Sequence, residues 1–182
     1  MDISTEFCPH CGKAGLQYPQ GRKWVCPECG FTLYQNVAVG VGVIYYTEGN
    51  EVLFEVRGKE PKKGCITLPG GFVDPDESAE EACVRECREE AGISVTQDML
   101  TYVTTAPNVY PYKDVTYHTC DMFFSCPADS RQLTNLVAQE EEVTAFRLIP
   151  VLSPDDVDSL PIAFDSARVA LKKWAASHPL CW

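Results

Sequence analysis

The chain has 182 residues, 45% of them apolar and 23% charged, and its 15 basic and 26 acidic side chains give a formal net charge of −11. This is enough for one domain with a sizeable core, or for one domain plus a small accessory module, and it excludes a disordered chain. The acidic balance argues against long nucleic acids and anionic membrane surfaces, because sequence-independent affinity for either comes from Lys and Arg.

The charge is unevenly placed. Residues 1–36 carry three bases and three acids, whereas residues 71–93 carry eight acids against Arg85 and Arg88. More than half of the acidic excess therefore falls in one short segment. A solvated helical face is the default reading of such a run.

The start of the chain has no apolar h-region, and no stretch approaches the roughly 18 apolar residues of a membrane span. A soluble, cytoplasmic protein is expected. Its ten cysteines then read as reduced thiols or metal ligands rather than disulfides. Cys8-Pro-His-Cys11-Gly and Cys26-Pro-Glu-Cys29-Gly are two copies of one knuckle, with 14 residues between Cys11 and Cys26. Each knuckle presents two thiolates from a tight turn, and together they complete a closed tetrahedral site for structural Zn²⁺. His10 lies inside the first knuckle as a bystander. The paired knuckles resemble a zinc ribbon of the kind found ahead of some pyrophosphohydrolases, over residues 6 to about 34. Lys23-Trp24-Val25 reads as the strand into the second knuckle and Phe31–Tyr34 as the way out. The segment is too small for a hydrophobic core, so the metal should supply much of its stability. The ribbon domain is set at residues 1–36 and the second domain at 37–182.

From Val37 the texture changes. Val37–Tyr46 is β-branched and apolar, Thr47–Asn50 is a turn and Glu51–Arg57 alternates, which predicts a hairpin. Ile66–Leu68 is a short strand stopped by Pro69-Gly70-Gly71. A helix follows over about 75–91, with Asp74 as N-cap, Pro75 at N1 and Glu77 at N3. Strands are expected at Leu100–Thr105, Val115–Ser125 and Val143–Ile149, and a last helix at Asp165–Ser177 with Val169, Leu171 or Ala170, and Trp174 inward. The interleaving suggests a mixed sheet between helices.

On the first helix, Glu86, Glu89 and Glu90 continue the stripe begun by Ala79, Ala82 and Cys83, so the carboxylates face protein rather than water. Like charges converging on a partly buried face need a cation. Hard oxygen ligands suit Mg²⁺ or Mn²⁺, which bridge carboxylates to substrate phosphates.

Gly71-x5-Glu77-x7-Arg85-Glu86-Cys87-x-Glu89-Glu90-x-Gly92-Ile93 resembles the Nudix signature at every fixed position. The one departure is Cys87 in a bulky aliphatic slot, which a small hydrophobe can fill. The resemblance extends more loosely over residues 37 to about 178. It implies an α/β/α sandwich with a mixed sheet, preceded here by the ribbon, and hydrolysis of a nucleoside diphosphate linked to another moiety X. It places metal ligands on Glu86, Glu89 and Glu90 with the Gly71 carbonyl. Glu77 and Arg85 would buttress the loop and helix, with Arg85 also free to pair with Glu81 or Glu89. The general base is a box glutamate or an acid across the cleft, Glu142 before Glu141.

Zinc ribbon followed by this box is the order found in NADH pyrophosphatases. Their downstream S-Q-P-W-x-F-P-x-S segment corresponds to Thr105–Lys113 here, where Ala106 and Asn108 replace the Gln and Trp, and no counterpart of their extra N-terminal domain is expected. Leu68-Pro-Gly-Gly-Phe72-Val-Asp looks closer to ADP-ribose pyrophosphatase-like members. Tyr110, Tyr112 and Tyr117 are candidates for stacking a base, with strand core as the plainer alternative. A small nucleotide derivative is thus the expected partner. A non-catalytic Nudix-fold regulatory module would show a degraded box, and this one is complete. A zinc-ribbon interaction protein is the other rival; Phe7, Trp24, Phe31 and Tyr34 permit docking or homodimer contacts, but are expected to pack on the catalytic domain.

Overall fold

The computed structural model describes residues 6–19, 21–113 and 115–178; the outer ends of both expected domains lie outside these. Two separate sheets are present. The first pairs β1 (Lys23–Val25) with β2 (Thr32–Tyr34) antiparallel. It spans the second knuckle, as expected. Trp24 is buried and packs on Tyr18 at 4.8 Å between ring centroids, and His10 stacks on Phe31. Phe7 and Tyr34 are 60% exposed. The ribbon aromatics therefore pack on one another or face solvent, contrary to the expectation that they would seat on the larger domain.

The second sheet contains β3 (Ala38–Tyr46), β4 (Glu51–Arg57), β5 (Ile66–Thr67), β6 (Thr101–Tyr112), β7 (Val115–Pro127) and β8 (Val143–Pro150). Its order is β5-β4-β3-β7-β6, with β8 also on β4. β3 and β7 run parallel and the other pairs antiparallel, so the sheet is mixed. β6 runs through Pro107 and Pro111 to Tyr112, well beyond the expected Thr105. It is an edge strand, where a residue without an N–H breaks no ladder.

Three helices follow: α1 (Ala79–Ala91), the short α2 (Ser130–Leu133) and α3 (Asp165–Ser177). α1 and α3 cover opposite faces, giving the α/β/α sandwich. Alternation along the strands divides the core. Val41, Val43, Tyr45 and Leu53 meet Ala82, Cys83, Cys87 and Ala91 of α1. Ile44, Val52, Phe54 and Phe123 meet Ala167, Ala170, Leu171 and Trp174 of α3. Val169 is 51% exposed, so the inward stripe of α3 runs through Ala170 and Leu171 instead.

α1 begins four residues later than expected. Its N-cap is Ser78, in a reciprocal capping box with Glu81. Asp76 adopts a left-handed backbone at φ 69°, which breaks any helix started at Pro75. Glu77 bonds the Asp74 N–H from outside the helix. The C-terminus is as expected, with Gly92 left-handed at φ 68°.

β3 and β4 meet only near their turn, at Tyr46 and Val52, before they diverge. The loop after β5 enters the gap: Val43 and Val41 donate to the carbonyls of Pro69 and Gly71, and Val73 donates to Val39. This pairing seats the loop preceding α1 in the sheet. Gly70 approaches so closely that a Cβ there would collide with the Val41 carbonyl.

Candidate active site

α1 presents Glu86 and Glu90 toward the Gly70–Gly71 loop. Glu90 is 7% exposed and accepts from the Gly70 N–H at 2.8 Å. Gly71 lies so close to the Glu86 carboxylate that a Cβ would collide with it. The Gly71 carbonyl accepts from Val41 and retains a second lone pair.

Arg85 organises the acids around it. Its Nε and Nη2 grip both Glu77 oxygens at 3.0 and 2.9 Å, Nη2 also reaches the Phe72 carbonyl at 2.9 Å, and Nη1 reaches Glu86 at 2.7 Å and Glu89 at 3.3 Å. Both alternatives for this residue thus coexist, the grip on Glu77 and the i,i+4 pair with Glu89, while Glu81 is occupied in the cap. The Arg85 hydrogen bonds hold the Glu77 carboxyl below its ordinary range.

Sequence reasoning missed Glu55. It lies on β4, on the face covered by α1, is 1% exposed, and its Oε1 has no hydrogen-bond partner. Burial and then the neighbouring Glu90 charge push its carboxyl well above the usual carboxylate range. Burial likewise pushes Glu90 up to about 8, against the pull of the Gly70 N–H, and raises Glu86 despite Arg85. Like charges this deep favour protons or a metal in the same place. Among the described residues the box carboxylates do not converge within 4.8 Å of one another as the cysteines do; Glu86 and Glu89 share Arg85, and Glu90 is engaged by the Gly70 N–H. Their chemistry, hard oxygens with one orphaned and buried, fits a divalent cation such as Mg²⁺.

Gly70, Gly71, Arg85, Glu86, Glu89 and Glu90 line a cavity of about 390 Å³ that also takes in Arg57, Lys59, Asn108, Tyr110, Thr119, Asp121, Glu142, Phe164 and Ser166, but not Glu55. Glu142 faces it and pairs with Lys59 at 2.5 Å. Glu141 is exposed and does not line it. Tyr110 packs edge-on against Phe72 and beside Phe164. Tyr112 and Tyr117 lie further out, around an adjoining cavity of about 500 Å³ shared with Tyr110 and Phe72.

At the other end of the chain, the four cysteine sulfurs lie within 4.8 Å of one another. The Cys8–Cys29 and Cys11–Cys26 separations are both 3.7 Å. Ligands of a tetrahedral zinc at about 2.3 Å stand about 3.8 Å apart, so the donor set fits that ion. The Cys29 N–H draws the Cys26 thiol down to about 7.

A mixed sheet between two helical layers, with a glycine loop leading into a carboxylate-bearing helix, is the frame of this site. The chain belongs to the Nudix family: the NUDIX domain matches residues 36–174. It is 36% identical over 89 residues to NAD-capped RNA hydrolase NudC of Pseudomonas fluorescens, covering 49% of this chain and 32% of that protein. It is 42% identical over 82 residues to ADP-ribose pyrophosphatase of Methanocaldococcus jannaschii, covering 44% and 47% respectively. The matches thus span about a third to a half of these relatives. Among solved structures, a NUDIX hydrolase from Nitrosomonas europaea superposes with a TM-score of 0.61 at 26% identity, covering 95% of this chain and 92% of that one. The NUDIX domain of Shewanella oneidensis NrtR, complexed with ADP ribose, shares the fold with a TM-score of 0.62 at 20% identity, covering 80% and 91%. Among the described residues, no helix is long and apolar enough to cross a membrane.

Proposed function

We propose that this chain hydrolyses the pyrophosphate of a nucleoside diphosphate linked to a second moiety. The observation that carries the reading is the complete box folded around Gly70 and Gly71, with Glu55 and Glu90 buried behind it. Glu86, Glu89 and Glu90, with the Gly71 carbonyl, would hold Mg²⁺ or Mn²⁺. Bound there, the metal would neutralise the bridging oxygens and acidify a water. Arg85 and Glu77 fix the loop against the helix, so the ligands keep their geometry. Glu142 is the preferred general base over Glu141, because it lines the cavity and Lys59 orients it. Tyr110 is the preferred base-stacking ring, with Tyr112 and Tyr117 at the rim.

The substrate is a small nucleotide derivative of the ADP-ribose, dinucleotide or FAD type. The names of the relatives point to ADP-ribose and to an NAD cap. The net charge of −11 disfavours tracking a long RNA backbone. Zn²⁺ on the four cysteines is structural, since a closed tetrahedral set leaves no open position. The ribbon and the Nudix domain divide near residue 36. A cytoplasmic, reducing setting keeps the ligand thiols available.

The test is incubation with Mg²⁺ and a panel of ADP-ribose, NADH, FAD, dinucleoside polyphosphates and nucleoside triphosphates. Turnover of at least one, lost in Glu89→Gln and Glu90→Gln, is expected. Binding without turnover would favour the regulatory-module reading.

A further inference from the structure

One wall of the cavity is polar and takes no part in the proposed chemistry at the box. Alternation sends Thr119, Asp121 and Phe123 of β7 to the same face, and β6 sets Asn108 opposite Thr119. Asn108, Thr119, Asp121 and Ser166 all line the cavity.

The oxygens of this wall are arranged for an incoming group. Ser166, 2% exposed at the start of α3, donates to Asp121 Oδ2 at 2.6 Å, which fixes the carboxylate. Gly40 lies beside Asp121 on β3, and a Cβ there would stand 2.8 Å from Oδ1. The glycine thus keeps that oxygen clear, and none of the described hydrogen bonds ends on it. Thr119 is 4% exposed and its Oγ1 is buried without a partner. A buried hydroxyl left so is costly unless a ligand or water completes it.

The chemistry of these groups selects the ligand. Asp121 only accepts, whereas the Thr119 hydroxyl and the Asn108 amide both donate and accept. A phosphate would set its charge against Asp121, and an apolar group would leave the wall unpaired. Two adjacent hydroxyls, each donating and accepting, satisfy it. The Gly40 position that lies 2.8 Å from Asp121 Oδ1 lies 3.7 Å from the Gly71 carbonyl oxygen, so the recess and the proposed metal ligand are neighbours across one missing side chain. In a nucleotide, the diol and the 5′-phosphate sit at opposite ends of one pentose, which suits this arrangement. Tyr110, two residues from Asn108 on the same face of β6, adds a ring beside the recess.

We propose that Asn108, Thr119 and Asp121 form a subsite for the vicinal diol of a substrate ribose, with Ser166 as the residue that positions Asp121. The proposal rests on the pyrophosphohydrolase reading and names a part of its substrate.

The experiment measures Mg²⁺-dependent hydrolysis of ADP-ribose and of two analogues, one lacking the 2-hydroxyl of the adenosine ribose and one lacking that of the terminal ribose. Wild type should prefer ADP-ribose over one analogue by about 10- to 100-fold in kcat/KM, the size of a lost hydrogen bond to a charged acceptor, with the difference in KM. Asp121→Asn and Thr119→Val should bring that ratio toward unity. The analogue that responds identifies which ribose is bound. Equal use of all three compounds by wild type, or an undiminished preference in both variants, would overturn the subsite. Calorimetric titration of the same compounds with Ca²⁺ in place of Mg²⁺ reads the subsite without turnover. A hydroxyl-dependent affinity lost in the variants supports it even if hydrolysis fails, and equal affinities overturn it.

Discussion

Removing the metal from Cys8, Cys11, Cys26 and Cys29 should unfold the ribbon and leave the Nudix domain standing. Among the described residues of 6–34, Trp24 is the buried apolar side chain apart from Cys8 and Cys26. Burying a tryptophan of about 250 Å² at about 25 cal/mol per Å² contributes about 6 kcal/mol as an upper bound. The two strands have three residues each, and an isolated two-stranded sheet is marginal in water. Structural zinc in modules of this size contributes about 10–16 kcal/mol. The metal therefore outweighs the packing and decides whether the segment folds. Neither core cluster of the sandwich includes a ribbon residue, so the loss should stay local. The assay is Trp24 fluorescence, isolated as the difference between wild type and Trp24→Phe. Chelation should red-shift that difference spectrum, while the main calorimetric transition moves by no more than about 2 °C, under 1 kcal/mol for a domain of this size. Confirmed zinc release with an unshifted Trp24 signal, or collapse of the whole chain in one transition, would refute the reasoning.

Three further outcomes follow from the box. Glu55→Gln keeps the shape but removes the cost of protonating a buried carboxyl on folding, so at neutral pH the metal-free protein should gain about 1–3 kcal/mol in denaturant titrations, while calorimetry should show weaker Mg²⁺ binding. Arg85→Lys keeps the charge but loses the planar fork that holds Glu77, Glu86, Glu89 and Phe72 together; kcat should fall by about tenfold or more, with a lower melting temperature in a thermal scan. Gly71→Ala drives a methyl into the Glu86 carboxylate, and steady-state kinetics should show the Mg²⁺ concentration for half-maximal rate rising, whereas Gly92→Ala, at a left-handed cap, should cost stability without that change.

The helix, its glycine stop and the placing of Glu86 and Glu90 on a protein-facing stripe were legible because spacing alone carries them, whereas Glu89, with its side chain 46% exposed, lies at the solvent edge of that stripe rather than against protein. The start of α1 was not, since Asp74-Pro75 is a sound N-terminal signal and only the left-handed Asp76 cancels it. β6 was cut short because prolines break interior strands, and edge position cannot be seen before the sheet order is known. Glu55 did leave a signal. In Val52-Leu53-Phe54-Glu55-Val56 its neighbours on both alternating sets are apolar, the mark of a strand buried on both faces, so a glutamate within it had to be buried too. The polar wall left no such mark, because Asn108, Thr119 and Asp121 converge only through the register of β6 and β7 and the space left by Gly40.

The acidic excess now has a location and a sign. Asp74, Glu86, Glu89, Glu90, Asp121 and Glu142 line the cavity against Arg57, Lys59 and Arg85. Of these cations Arg85 is spent on four neighbours and Lys59 on Glu142. The orphaned Nη2 of Arg57 is the main cationic donor left for a phosphate. A metal-free cavity should therefore repel a pyrophosphate, and a divalent cation must bring it in. The acids then divide by role: those of α1 face the metal, and Asp121, fixed by Ser166, is left to accept from hydroxyls. One cavity can thus sort the two ends of a nucleotide, drawing its phosphates to the metal and its neutral sugar to the polar wall beside it.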